Sequence, residues 1–165
     1  MDEVNKWLKK IESVKNGTVD LSRDEDLSIA LMNLISLEEH FYFTAMKTGN
    51  NKYLEMLDSV RLIRTNLLKK IVVNPAGEEW CISKHLLAAS MRLIEVGTKE
   101  LRKKNLEADN YFKLGFQLYS LFFAINLKMI GTSEIKETES FKETKSKMEK
   151  FTSVIKKIVD CCKEW

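Results

Sequence analysis

The sequence predicts an all-α protein, folded as an antiparallel up-and-down four-helix bundle with an additional helix at each end of the chain. Apolar residues recur at spacings of three and four almost everywhere, and no stretch of strand length alternates strictly between apolar and polar residues. The 165 residues include 6 glycines and one proline, whereas proteins built from many strands need more turn residues. We therefore expect helices and no sheet.

Four central helices follow from the apolar periodicity and the turn residues between its segments. A glycine and two asparagines at 49–51 end the first helix, and Pro75 and Gly77 end the second, because proline cannot continue a helix and glycine permits a tight turn. Connections this short place consecutive helices antiparallel. The predicted helices span about 25–47, 51–72, 78–104 and 106–130.

Each end of the chain carries one more amphipathic segment. The first is predicted at about 2–15 and the second at about 134–163. The apolar stripe of the second consists of Phe141, Met148, Phe151, Ile155, Ile158 and Cys162. A chain of this length buries roughly two-thirds of its unfolded surface as one domain. We expect a single domain over 1–165, with its core at about 25–130.

Composition and charge exclude several classes of protein. The 27 basic and 24 acidic residues are interspersed, for a net charge of +3, which indicates no dedicated nucleic-acid surface. No apolar run approaches the ~18 residues of a membrane span, and the N-terminal segment resembles no signal peptide. Three cysteines form no disulfide framework. These features predict a cytoplasmic protein that does not enter a membrane.

The helix predicted at about 78–104 places small residues along the centre of an apolar face. Ser83, Ser90 and Gly97 are seven residues apart and therefore share one side of the helix. Small side chains let two helix backbones approach closely. We predict a close helix contact there, and no chemical role for the two serines.

Several apolar rows of the predicted helices contain a polar residue. The hairpin connections place these polar residues at about the same height along the bundle. Glu38 interrupts the row of the helix predicted at about 25–47 and Arg64 that of the helix at about 51–72, while Asn126 lies in the most apolar helix. Antiparallel pairing puts Glu38 level with Arg61 and one turn from Arg64. It also puts Arg64 near His85, and His85 near Asn126. Buried charges need partners, so we expect these residues to meet in one layer.

Two interpretations of this polar layer remain open. In the first, Glu38 forms an internal ion pair with Arg61 or Arg64, extended by His85 and Asn126, which sets the helix register and does no chemistry. In the second, the same residues line a pocket for a small anionic or polar ligand, with the arginines as charge partners and His85 as a hydrogen-bond donor.

Metal binding and catalysis have weaker support. Cys81 and His85 are one helical turn apart, and Glu39 is a possible third metal ligand. The Glu-x-x-His motif of di-iron bundles is missing from the sequence, and no glycine-rich loop could hold a phosphate. Cys81 and His85 also lack an assignable third catalytic residue. We expect no cofactor, and the balance leans against an enzyme.

The sequence does not determine a function. Its best-supported hypothesis is a non-catalytic interaction or scaffold protein, which acts through helical surfaces on a protein partner or on a second copy of itself. The alternative is a helical bundle that binds a small ligand or a metal at the polar layer between its helices.

Overall fold

The structure is a computed structural model that describes residues 21–128 and Thr152. This part of the chain contains four α-helices and no strand, which confirms the predicted all-α class. The segments predicted as terminal helices lie outside the described residues. The helices are α1 (Ser22–Thr48), α2 (Lys52–Ile71), α3 (Glu79–Arg102) and α4 (Ala108–Asn126).

The predicted turn residues lie at the ends of the helices. Gly49 ends α1 with a φ of 66°, and its amide donates to the carbonyl oxygen of Ala45 at 2.8 Å. A positive φ is easy for glycine, which has no Cβ. Between α2 and α3, Asn74 and Gly77 take φ values of 49° and 53°. The helix α4 ends at Asn126, short of the predicted end near 130, because the chain turns at Lys128 with a φ of 54°.

Consecutive helices pack as two hairpins. The helices α1 and α2 form the first hairpin, α3 and α4 form the second, and α1 contacts α3. A buried hydrogen bond of 2.7 Å between the hydroxyls of Ser28 and Tyr119 also ties α1 to α4. The Ser28 hydroxyl donates to the carbonyl oxygen of Glu25 at 2.6 Å. Since a hydroxyl has one proton, Tyr119 donates in the bond between the hairpins.

The hydrophobic core lies toward one end of the molecule, where α1 and α3 begin and α2 and α4 end. We call this the core end, and the opposite end, with the α1–α2 and α3–α4 connections, the loop end. Among the described helices, the only buried residues beyond Glu38, Arg64, Ser90 and Gly115 toward the loop end are small: Ala45, Gly97 and Ala108. The core itself is formed by Leu31, Met32, Leu68, Ile71, Val72, Leu86, Leu87, Tyr119 and residues 122–125.

The contact between α3 and α4 is the close one that the small residues predicted. Ser90 donates from its hydroxyl to the carbonyl oxygen of Gly115 at 2.8 Å. A Cβ atom added to Gly97 would stand 2.8 Å from Cε1 of Phe112, closer than carbon atoms tolerate. Ser83, Ser90 and Gly97 are all buried. The prediction is confirmed, because the seam leaves no room for larger side chains.

Candidate functional site

The carboxylate of Glu38 is held by two arginines of α2. Arg64 donates from Nε to Oε1 at 2.8 Å and from Nη2 to Oε2 at 3.3 Å, and Arg61 donates from Nε to Oε2 at 3.0 Å. A carboxylate and a guanidinium match in shape, so two parallel bonds also fix the orientation of both groups. The structure thus brings together three residues of the predicted layer, and both carboxylate oxygens have partners within the protein.

The carboxyl group of Glu38 stays ionised although it is buried, because of these bonds. Removal from water by itself raises the pKa of the Glu38 carboxyl, but hydrogen bonds and charges of Arg64 and Arg61 outweigh it and hold the pKa below its ordinary value of 4.5. Glu38 is therefore ionised at neutral pH. An ionised and fully partnered carboxylate is suited to fixing the helices and not to proton transfer.

The two arginines differ in their surroundings. The side chain of Arg64 is 8% exposed, whereas that of Arg61 is 55% exposed. Arg64 also donates from Nη1 to the hydroxyl of Thr65 at 3.3 Å. Because two guanidinium groups meet one carboxylate, the cluster carries an excess positive charge, and this charge reaches the surface at Arg61. The geometry favours the interpretation of the layer as an ion pair, with a cationic group left at its edge.

The structure does not bring His85 or Asn126 to this cluster. Asn126 donates from Nδ2 to the hydroxyl of Ser83 at 3.0 Å and to the carbonyl oxygen of Phe122 at 2.8 Å, within the second hairpin. His85 is exposed. The helix α3 buries the side that carries Ser83 and Leu87, and a residue two positions after Ser83 points to the opposite side. The expected five-residue layer was therefore wrong for these two residues.

The candidate metal ligands also fail to converge. Cys81 is an exposed free thiol, and Glu39 forms an exposed ion pair with Arg92, whose Nε lies 3.3 Å from Oε2. Arg92 also donates from Nη2 to the hydroxyl of Ser36 at 2.5 Å, so it links α3 to α1. Within residues 21–128, no group of three or more His, Cys, Asp or Glu side chains could hold a metal ion.

A second buried carboxylate escaped the sequence analysis. Glu79, whose side chain is 5% exposed, accepts from the amide of Ala76 at 2.9 Å and from Nζ of Lys128 at 2.5 Å. Burial raises the pKa of Glu79, but the bonds from Lys128 and Ala76 outweigh it and leave the pKa lowered. Lys128 also donates to the carbonyl oxygen of Asn74 at 3.3 Å. The only sequence signal was an acidic residue in the first turn of a helix, since the partner lies 49 positions away.

An exposed apolar patch at the loop end of the first hairpin is the other feature that the sequence analysis missed. We call Tyr42, Phe43, Met46 and Leu54 the loop-end patch. Phe43 and Met46 are 59% and 57% exposed, and the rings of Tyr42 and Phe43 meet edge to face at 5.2 Å. Phe43 and Met46 are apolar residues in an apolar helix, and the period of one helix does not tell that they stay more than half exposed.

The loop-end patch faces the second hairpin and adjoins the cationic edge of the Glu38 cluster. Tyr42, Phe43 and Met46 follow Glu39 at three, four and seven residues, so they share the side of α1 that contacts Arg92. On α2, Leu54 precedes Arg61 by seven residues and lies on the same side of its helix. The patch thus combines aromatic and sulfur-containing side chains with an arginine that has spare donors.

Comparison with known proteins identifies no relative: no protein-family model, no curated protein and no solved structure matches this chain. None of the described helices is long and apolar enough to cross a membrane.

Proposed function

We propose that this chain is a non-catalytic interaction protein, and that it binds a protein partner through the loop-end patch. The observation that carries the proposal is the exposure of Tyr42, Phe43, Met46 and Leu54 on one side of a hairpin. Single exposed apolar residues are common on monomers, but contiguous groups of them are typical of interfaces. Aromatic residues, methionine and arginine are the types that interfaces favour.

The neighbouring charge defines the partner's chemistry. The nitrogen Nε of Arg61 is used by Glu38, and its Nη atoms donate to no group within residues 21–128. An apolar helix that carries one carboxylate would satisfy both the patch and this guanidinium. A flexible methionine such as Met46 adapts to different partner surfaces at small cost. The proposed partner is therefore an amphipathic helix with an acidic residue beside its apolar stripe.

We also propose that residues 1–165 form one cytoplasmic domain in which the two hairpins are an up-and-down four-helix core. The short connections and the shared core of both hairpins support this arrangement. The alternative function, a ligand or metal site in the polar layer, has no supporting observation, because both oxygens of Glu38 already accept hydrogen bonds from arginine.

A patch variant with a matched control tests the proposed function. We expect Phe43→Glu with Met46→Glu to lose a bound partner, or to lose self-association measured by light scattering, while the Tm stays within about 2 °C of the parent because these side chains are already exposed. The control is Leu62→Glu, whose leucine is 64% exposed on another side of the first hairpin. The proposal fails if the patch variant and the control bind or self-associate equally.

A further inference from the structure

The first hairpin has a second apolar surface, on the side that faces away from the second hairpin. We call it the outer face, formed by one row on α1 and one on α2: Leu34, Leu37, Phe41, Met56, Val60, Ile63 and Leu67. Leu37, Met56 and Ile63 are 37%, 47% and 51% exposed, and the other four are half-buried. Leu37 lies two positions from Glu39, the residue that contacts α3, and therefore on the other side of α1. No charged residue belongs to either row, and a contiguous apolar surface of this kind is typical of an interface.

The row on α2 has the same spacing in both directions. Its residues Met56, Val60, Ile63 and Leu67 are spaced by four, three and four positions, so the row is centred between 61 and 62. When α2 lies antiparallel to its own copy about that centre, Met56 is opposite Leu67 of the second copy and Val60 is opposite its Ile63. In a two-fold dimer every such contact occurs twice. The row therefore matches a second copy of itself.

The row on α1 is centred at the same level. Its middle residue is Leu37, and the neighbouring Glu38 accepts hydrogen bonds from Arg61 and Arg64 of α2. These bonds place Leu37 level with the centre of the α2 row, to within about one helical turn. One two-fold axis perpendicular to the helices therefore relates both rows to their copies, and two hairpins then form four antiparallel helices.

The charges of α2 favour the same antiparallel pairing. Glu55 lies in the first turn of α2, and Lys69 and Lys70 lie in its last turn. Antiparallel pairing places Glu55 level with Leu68 of the second copy, next to both lysines. Lys52, about one turn before Glu55, offsets part of this attraction because it falls beside Lys70 of the second copy. Parallel copies would instead place like charges at one level throughout, which is unfavourable.

We propose that the outer face binds a second copy of this chain, in an antiparallel two-fold dimer of first hairpins. The α2 row is about 17 Å long at 1.5 Å per residue, and two neighbouring helices are about 20 Å wide. With its margins such a face buries on the order of 500 Å² per copy, near the lower limit of specific interfaces. The dimer is therefore weak and forms at high protein concentration. The inference does not depend on the proposed function, because the outer face and the loop-end patch share no residue.

Light scattering of the full chain over a range of concentrations tests the inference. We expect the mean mass to rise from one chain at about 1 µM toward two chains at about 1 mM. Ile63→Lys should weaken the dimer at least about tenfold, because the contact would bury an unpaired charge. The matched control is Leu62→Lys, which adds the same charge outside the rows, at a leucine that is 64% exposed, and should change the Kd little. Both side chains are exposed, so both variants are expected to fold. A parent that stays monomeric at about 1 mM, or equal weakening in the two variants, overturns the proposal.

The patch variant separates this surface from the loop-end patch. Phe43→Glu with Met46→Glu should leave the dimer unchanged, because neither residue belongs to the outer face. Loss of the dimer in this variant would place the second copy at the loop-end patch and refute the assignment. Failure of the same variant to lose a different partner bears on the proposed function alone.

Distances between spin labels on the two copies test the orientation. The three native cysteines are replaced by serine, and one label is attached at Ser59→Cys or at Lys70→Cys, both at exposed positions. Antiparallel pairing of α2 separates the labels along the helix axis by about 8 Å at position 59 and about 26 Å at position 70. A two-fold axis parallel to the helices would give no such difference between the two positions. Equal distances would refute the antiparallel pairing of α2 with its copy.

Discussion

Replacing the buried carboxylate of the first hairpin with an amide tests how the two helices are held together. In Glu38→Gln the shape of the side chain is kept and its charge is lost. Of the three hydrogen bonds of 2.8, 3.0 and 3.3 Å from Arg64 and Arg61, those to the oxygen that becomes an amide nitrogen are lost, and those to the remaining oxygen keep only the charge of the arginine. The amide nitrogen of the glutamine must also face an arginine N–H group. Two hydrogen-bond donors then meet with no acceptor between them.

The size of the effect follows from the exposure of the two arginines. Arg61 is half exposed and regains water, whereas Arg64, at 8% exposure, is left with a buried charge and no counterion. Charge-assisted bonds contribute about 1.5–3 kcal/mol each and a buried unpaired donor costs about 1–3 kcal/mol. Allowing for the recovery at Arg61, we expect a loss of roughly 2–4 kcal/mol in the free energy of unfolding. For a chain of this length the Tm should fall by roughly 5–12 °C.

The pH dependence supplies an independent check on the same residue. The folded-state pKa of Glu38 lies below its ordinary value of 4.5. Its contribution to stability is therefore fully present above pH 4.5 and is lost as the pH falls through the lower, folded-state pKa. Thermal unfolding of the parent and of Glu38→Gln should differ most at pH 7 and converge in acid. A constant difference from pH 7 to the acid limit would refute the ion pair as its cause.

The neighbouring residue provides a matched control for this measurement. Glu39→Gln removes the same charge one position away, where the pair with Arg92 is exposed. Exposed pairs contribute about 0–1 kcal/mol, so the Tm should change little. If the two glutamine variants unfold at the same temperature, burial of the carboxylate does not determine its contribution and the reasoning is refuted.

Three further substitutions test other contacts by thermal unfolding. Gly97→Ala should lower stability by about 1–2 kcal/mol despite the better helix propensity of alanine, because the added Cβ meets the ring of Phe112. Phe112→Leu should relieve this loss. A gain in Tm for Gly97→Ala would contradict the close contact of α3 with α4. Glu79→Gln should cost about 1–3 kcal/mol at pH 7 and less in acid, since its folded pKa is lowered; a loss that does not depend on pH would count against the charge. Tyr119→Phe should cost about 1 kcal/mol, because it removes the buried 2.7 Å hydrogen bond to Ser28 that links the two hairpins; an unchanged Tm would show that this bond does not contribute to stability.

The apolar period by itself determined the four described helices, the two short hairpin connections and the pairing of Glu38 with α2. Spacings of three and four residues record which side of a helix is buried, and a short connection fixes the level of residues on antiparallel partners. The small residues Ser90 and Gly97 likewise predicted the close contact of α3 with α4. All of these depend on information local to one helix or one hairpin.

Only the tertiary structure decided the direction in which each helix points its polar residues and how tightly the hairpins close. His85 is exposed and not part of the cluster, because the level of a residue along a helix axis does not specify its rotation about that axis. The ion pair of Glu79 with Lys128 joins residues far apart in sequence, and the apolar period of a single helix does not predict such a contact. The loop-end patch arises because the core is concentrated at the other end, so Phe43 and Met46 remain exposed. Burial at a given position is a property of the whole packing arrangement, which the period of one helix does not contain.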